Sequence, residues 1–173
     1  IKLIYEHTVK LYPYASKGHY NDPDMLEVGN GKLSYNQNVS HFSLWCMMNA
    51  PLILGNDLRN MSDQVKSIVT NRNMIAINQD PLAKQAKRVR KGAVDVLAKP
   101  LADGSVAVCF FNKTSHAKSC KFDLNSLAND EYVAMQKKSE YSLKEQWSGQ
   151  IATTDGKVNA VLEKHQTKVF IVK

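Results

Sequence analysis

The apolar residues of this chain change their spacing once, from helical to alternating, and the change falls on a short basic stretch at residues 86–93. A segment patterned for helices and short buried strands packs differently from one patterned for antiparallel strands, so the spacing predicts two units, 1–85 and 94–173, joined by a connector at 86–93. Both fall in the usual domain range of ~50 to 200 residues.

In the first unit, Ile1, Ile4, Tyr5, Thr8, Val9 and Tyr12 recur at helical spacing until Pro13 stops the pattern. Residues 15–31 are rich in Gly, Asn, Asp and Pro, as a functional loop around a short extended piece ending near Asp22 would be. Ser34 and Gln37 have capping-box spacing ahead of Val39, Phe42, Trp45, Cys46 and Met48, which predicts a helix to about Asn49. Ala50 to Gly55 reads as a buried parallel strand. Ser62 or Asp63 caps another helix bearing Val65, Ile68 and Val69, and a short turn carries Met74, Ile75 and Ile77 before Asp80-Pro81. Helices alternating with strands argue for βα units.

In the second unit, Val94, Val96 and Ala98 alternate, Ala102 to Ser105 supplies a hairpin turn, and Val106 to Phe111 follows as a second strand. Cys120, Phe122 and Leu124 alternate, as do Val158, Ala160 and Leu162 after the Asp155-Gly156 turn, with Val169 and Ile171 last. Such short strands predict an antiparallel β-sandwich. A hairpin around Thr114 and Ser115 would set Cys109 opposite Cys120, where a disulfide is conceivable; reduced cytosolic thiols explain the three cysteines equally well.

The formal charge of +7 is concentrated in part at Lys84, Lys87, Arg88, Arg90 and Lys91. This run lacks interleaved aromatic residues and a recognition motif, so it reads as a solvated connector, with no nucleic-acid partner. No apolar run approaches the ~18 residues that span a bilayer, so no membrane partner is expected. Neither Cys nor His shows metal-ligand spacing, and neither metal nor cofactor is expected. The chain opens at Ile1 inside a helical pattern, which reads as a piece of a longer protein.

Gly18-His19-Tyr20-Asn21-Asp22-Pro23-Asp24-Met25-Leu26, with Gly29-Asn30 beyond it, resembles the strand-7 loop of glycoside hydrolase family 27, the α-galactosidase or melibiase family. The resemblance continues through His41 to Trp45, through Ala50-Pro51-Leu52-Ile53-Leu54-Gly55-Asn56-Asp57-Leu58-Arg59, and into Ile77-Asn78-Gln79-Asp80-Pro81-Leu82-Ala83-Lys84-Gln85. Lys99 to Val108 and Trp147-Ser148-Gly149 look like the family's C-terminal β domain, on less diagnostic residues. Tyr20 stands where the family usually has Trp, which would alter a wall of the pocket. Ala83 replaces a usual Gly, which matters only if that position needs φ > 0.

The resemblance implies α/β plus all-β architecture: about the last two βα units of a (β/α)₈ TIM barrel, then the β-sandwich. It further implies retaining removal of terminal α-linked galactose from oligosaccharides through a glycosyl-aspartate. A whole barrel takes ~250 residues, and the resemblance implies a nucleophilic Asp on strand 4 and an acid/base Asp near the end of strand 6, both upstream of Ile1, so no catalytic residue is expected within the chain and no activity from it alone. Pairing Asp22 with Asp24 does not replace them, because residues two apart on an extended segment project to one side, whereas retaining hydrolysis needs carboxyl groups on either side of the anomeric carbon. Asp24 and Met25 are instead expected to line the substrate pocket, Asp24 orienting the site through hydrogen bonds and Met25 meeting a sugar face. Asp22 and Asn21 read as turn caps.

Asn56 and Asp57 read as a structural turn, His19 lies beside the expected site, and Trp147 reads as packing the β domain. Asn38, Asn60 and Asn112 head sequons. The expected partners are an α-galactoside oligosaccharide, the absent N-terminal barrel region and, through apolar faces left bare, a homo-oligomer. The rival reading is a non-catalytic β module that binds carbohydrate or a partner. On the same family framework, α-N-acetylgalactosaminidase and β-L-arabinopyranosidase activities stay open. Sparse cysteine leans towards a cytoplasmic bacterial protein, with secretion and a lysosomal location also open.

Overall fold

In the computed structural model, which describes residues 1–173, α1 spans Lys2–Thr8 and passes into a 3₁₀ turn, Val9–Tyr14, that takes in Pro13. Tyr5, Thr8 and Val9 form its buried face. The capping box of α2 (Tyr35–Met47) closes as its spacing predicts: the Gln37 N–H donates to Ser34 Oγ at 3.3 Å, and the Ser34 N–H donates to Gln37 Oε1 at 2.9 Å. Every residue of α2 from Asn38 onward is buried, because α3 (Asp63–Val69) and α4 (Arg72–Asn78) cover one side and the β unit covers another. Ser62 and Asn71 cap α3 and α4 by accepting the backbone N–H groups of Val65 and Met74.

The two strands expected in this unit reduce to a single parallel bridge, Leu26 to Leu54, with the Gly55 N–H donating to the Leu26 carbonyl at 2.9 Å. Ala50–Gly55 is not the buried strand its composition suggests, since Ile53 is 76% exposed. A parallel strand is buried only when it has neighbours at both edges and helices over both faces; here one edge and one face are bare.

The β unit is a two-layer sandwich. Its larger sheet runs in the order β1 (Lys87–Arg90), β2 (Val94–Pro100), β3 (Val106–Asn112), β8 (Thr167–Val172), β5 (Tyr141–Glu145), β6 (Ile151–Thr154), and the smaller pairs β4 (Lys118–Asp123) with β7 (Lys157–Leu162). The expected hairpin joins β2 to β3, with Gly104 at φ 84 in its turn. The stretch read as a solvated connector is corrected by β1. Two of its cations are paired, Lys87 with Asp130 at 2.6 Å and Arg88 with Glu6 at 2.7 Å and Asp95 at 3.0 Å, while the exposed Arg90 donates to the Lys121 carbonyl, so charge does not keep the strand off the sheet.

The central strands are buried on both faces. Val94, Val96, Ala98, Val108 and Phe110 meet the smaller sheet in one core, while Leu97, Ala107, Cys109, Phe111 and Val169 meet Tyr5, Phe42, Trp45 and Cys46 in another. The sandwich is thereby fastened to the helices by a continuous apolar layer. Cys109 and Cys120 lie in different cores on strands of different sheets, and all three cysteines are free thiols, which removes the conceived disulfide.

Two buried charges cross this layer. Asp95 accepts from Tyr5 Oη at 2.8 Å and pairs with Arg88 and with Lys113, the latter at 2.9 Å, so its carboxylate is fully compensated. Lys99 is fully buried with one partner, the side-chain oxygen of Asn49, which follows α2 at φ 57. No helix is long and apolar enough to cross a membrane.

Candidate functional site

A cavity of about 600 Å³ opens beside the Leu26 to Leu54 bridge, between the 22–33 loop, α2 and the start of α1. Asp24, Met25, Glu27 and Asn30 line it from the loop. Opposite them stand Gln37, His41 and Trp45, spaced four residues apart and therefore on one stripe of α2. The two residues singled out as substrate contacts thus share one wall, and Met25 is 52% exposed to the opening.

Local chemistry shapes this wall. The Asp24 N–H donates to Asp22 Oδ1 at 2.8 Å, an Asx turn across Pro23, so Asp22 is the turn cap its position suggests. Asp24 itself has φ 67, left-handed for a residue with a Cβ. The extended geometry assumed for residues 22–24 therefore does not hold, and Asp22 is absent from the cavity wall. Asn21 is also structural, donating to the Leu11 carbonyl and to Gln85 Oε1, each at 2.8 Å. Asn30 fixes the far side of the loop through Glu27 and, at 3.0 Å, the Gly55 carbonyl. A Cβ at Gly55 would stand 2.6 Å from the Met25 Cε, so the glycine leaves room for the end of the Met25 side chain.

His41 is 1% exposed, its ring 4.3 Å from that of Trp45 in an edge-on arrangement, and neither of its nitrogens is hydrogen-bonded. Burial pushes it down to about 4, so at neutral pH the imidazole is uncharged. Trp45 Nε1 donates to the Asp24 carbonyl at 3.4 Å. Glu27, Asn30, Gln37, His41 and Trp45 join the cavity wall without having been expected there, although the four-residue recurrence of Gln37, His41 and Trp45 is the signal that groups three of them.

The other candidates lie elsewhere. Tyr20 borders a separate depression with Asn49, Pro51 and Ala83, so its departure from Trp does not alter this cavity's wall. His19 closes a tight turn with Ser16 and is exposed. Asp57 caps its turn by accepting from Arg59, as read. Trp147 packs across the junction with α2 rather than within the sandwich: its Nε1 donates to Ser43 Oγ at 3.0 Å, and its ring is edge-on to Phe42. Asn38 and Asn112 are buried and hydrogen-bonded, which leaves Asn60 as the exposed sequon. No group of three His, Cys, Asp or Glu is placed to hold a metal.

Two family models match the chain, one described as alpha galactosidase A over residues 1–80 and the other as the alpha galactosidase C-terminal beta sandwich domain over 91–172. Among relatives, Alpha-galactosidase A of Cellvibrio japonicus is 38% identical over 165 residues, a match covering 92% of this chain and 41% of that protein. Alpha-N-acetylgalactosaminidase of Gallus gallus is 47% identical over 105 residues, covering 60% of this chain and 26% of that protein. The solved structure of alpha-galactosidase I from Mortierella vinacea superimposes with a TM-score of 0.88 at 25% identity, over 95% of this chain and 42% of its own. The chain thus spans about two fifths or less of these relatives' lengths.

Proposed function

We propose, from the premise that this chain belongs to the α-galactosidase family, glycoside hydrolase family 27, that it is the C-terminal portion of a retaining hydrolase that removes terminal α-linked galactose from oligosaccharides. The observation that carries the reading is the cavity that sets Asp24 and Met25 together at the bare edge of the Leu26 to Leu54 bridge. Asp24 is the group that accepts hydrogen bonds from sugar hydroxyls, and Met25 the apolar contact for a ring face. Retaining hydrolysis takes two carboxyl groups ~5 to 5.5 Å apart on either side of the reacting carbon. The nucleophile and the acid/base are supplied from upstream, and this chain alone does not turn over substrate.

Exposed apolar side chains support that division. Leu3, Ile53 and Leu58 are 71%, 76% and 65% exposed, and Ile53 lies on the segment whose outer edge and face are unpaired. In this reading they pack against the remaining barrel units, with the boundary between barrel part and sandwich between residues 80 and 87. The relatives include an α-N-acetylgalactosaminidase as well as α-galactosidases; an α-galactoside is the substrate class proposed here. In the enzyme that contains this chain, Asp24→Asn is expected to lower kcat/KM on an aryl α-galactoside with little loss of melting temperature. Unchanged kinetics would remove Asp24 from the site.

A further inference from the structure

The Asp24 peptide is held from both ends by side chains. Its N–H is taken by Asp22 Oδ1, and its carbonyl accepts from the Trp45 indole across the loop-to-helix gap. Between these bonds lies a left-handed residue with a Cβ, a conformation that L-residues adopt against a steric penalty. Asp tolerates it better than most, but short-range preference alone does not fix it. Trp45 is 1% exposed and wedged against His41, one helical turn earlier on the same stripe. His41 is buried and uncharged, so it packs against the indole without bringing a charge into the wall.

We infer that Trp45 and His41 are positioning residues for the sugar-facing turn: Trp45 holds the Asp24 carbonyl, His41 fixes the Trp45 ring, and together they set the direction of the Asp24 carboxylate and of Met25 within the cavity. Each is 1% exposed, so both act on the turn from behind the cavity surface. The inference rests on the reading of this cavity as the sugar site, and it adds the part of α2 that makes the site rigid.

The test uses the enzyme that contains this chain, assayed on an aryl α-galactoside, with Trp45→Phe, Asp24→Ala and the double variant. Trp45→Phe keeps the ring and deletes the donor. Loss of one hydrogen bond to the turn is expected to raise KM about three- to tenfold, with kcat changed less, and His41→Phe, which keeps the packing, is expected to leave KM near wild type. In the Asp24→Ala background, Trp45→Phe is expected to have no further effect on KM, because the side chain it aims is gone. An active wild type whose KM ignores Trp45→Phe overturns the inference, as does an equal KM penalty with and without Asp24. A wild-type enzyme that does not cleave the galactoside at all sinks the proposed function instead, a different result from either.

Discussion

Replacing Lys99 by Met should stabilise the protein at neutral pH and destabilise it in strong base. Lys99 is fully buried between the sandwich and α2, with the Asn49 side chain as its one hydrogen-bond partner. Burial pulls it from an ordinary 10.5 down to about 8, and Asp80 opposes this only in part. At a little over 1 kcal/mol for each unit of displacement, burying the ammonium costs roughly 3 kcal/mol below pH 8. A lowered value means that the unfolded chain binds the proton first. Stability from this residue is therefore complete above 10.5 and lost as pH falls through about 8. Met fills similar space without the charge, but leaves the Asn49 oxygen without its donor, a loss of ~1 to 3 kcal/mol. The expected net gain at pH 7 is on the order of 1 kcal/mol, shrinking from pH 8 upward at up to just over 1 kcal/mol per pH unit and reversing sign before 10.5. Urea midpoints of both proteins from pH 6 to 11 measure this, since the other lysines and tyrosines titrate in each and cancel in the difference. A difference that stays constant across that range, or a Met variant weaker than wild type at pH 7, refutes the reasoning.

Ala83→Gly should raise the melting temperature by a few degrees, because Ala83 sits at φ 50 and relief of left-handed strain is worth ~1 kcal/mol; a fall on calorimetry would show that the lost packing outweighs the strain. His41→Phe should flatten the acid limb of the stability profile: the buried neutral imidazole contributes fully above 6.5 and is lost as pH falls towards about 4, so the two proteins should diverge across that window in urea titrations. Parallel profiles would place a proton on His41 at no cost. Gly55→Ala should displace the Met25 terminus and raise KM severalfold in the complete enzyme while melting within about 2 °C of wild type, and an unaltered KM would show that Met25 placement is immaterial.

The parts of this fold that local chemistry dictates were readable from the chain. Ser34 and Gln37 announce α2, Ala102 to Ser105 announces the β2 to β3 hairpin, and the alternation of Val94, Val96 and Ala98 marks the face that meets the smaller sheet. The opposite face was not readable, because Asp95 and Lys99 look like solvent-facing positions until their partners on other elements are known. The same blindness hid β1, where Lys87 and Arg88 are neutralised by Asp130, Glu6 and Asp95, carboxylates on other elements of the fold. Ala50 to Gly55 misled in the other direction: its composition is that of a strand enclosed by neighbours, and such neighbours are not among these residues. At the site, the motif around Asp24 was conspicuous, whereas its supports on α2 were hidden within a helix whose apolar residues drew the eye. Ala83 shows the limit of sequence most plainly, since only backbone geometry reveals that its position is left-handed.

The most direct measurement is turnover of an aryl α-galactoside by the purified 173-residue chain, compared with the same chain joined to its upstream barrel region. One wall of a sugar cavity without the two flanking acids should give no turnover by itself and galactose-inhibited hydrolysis when joined. Catalysis by the 173 residues alone would contradict the account.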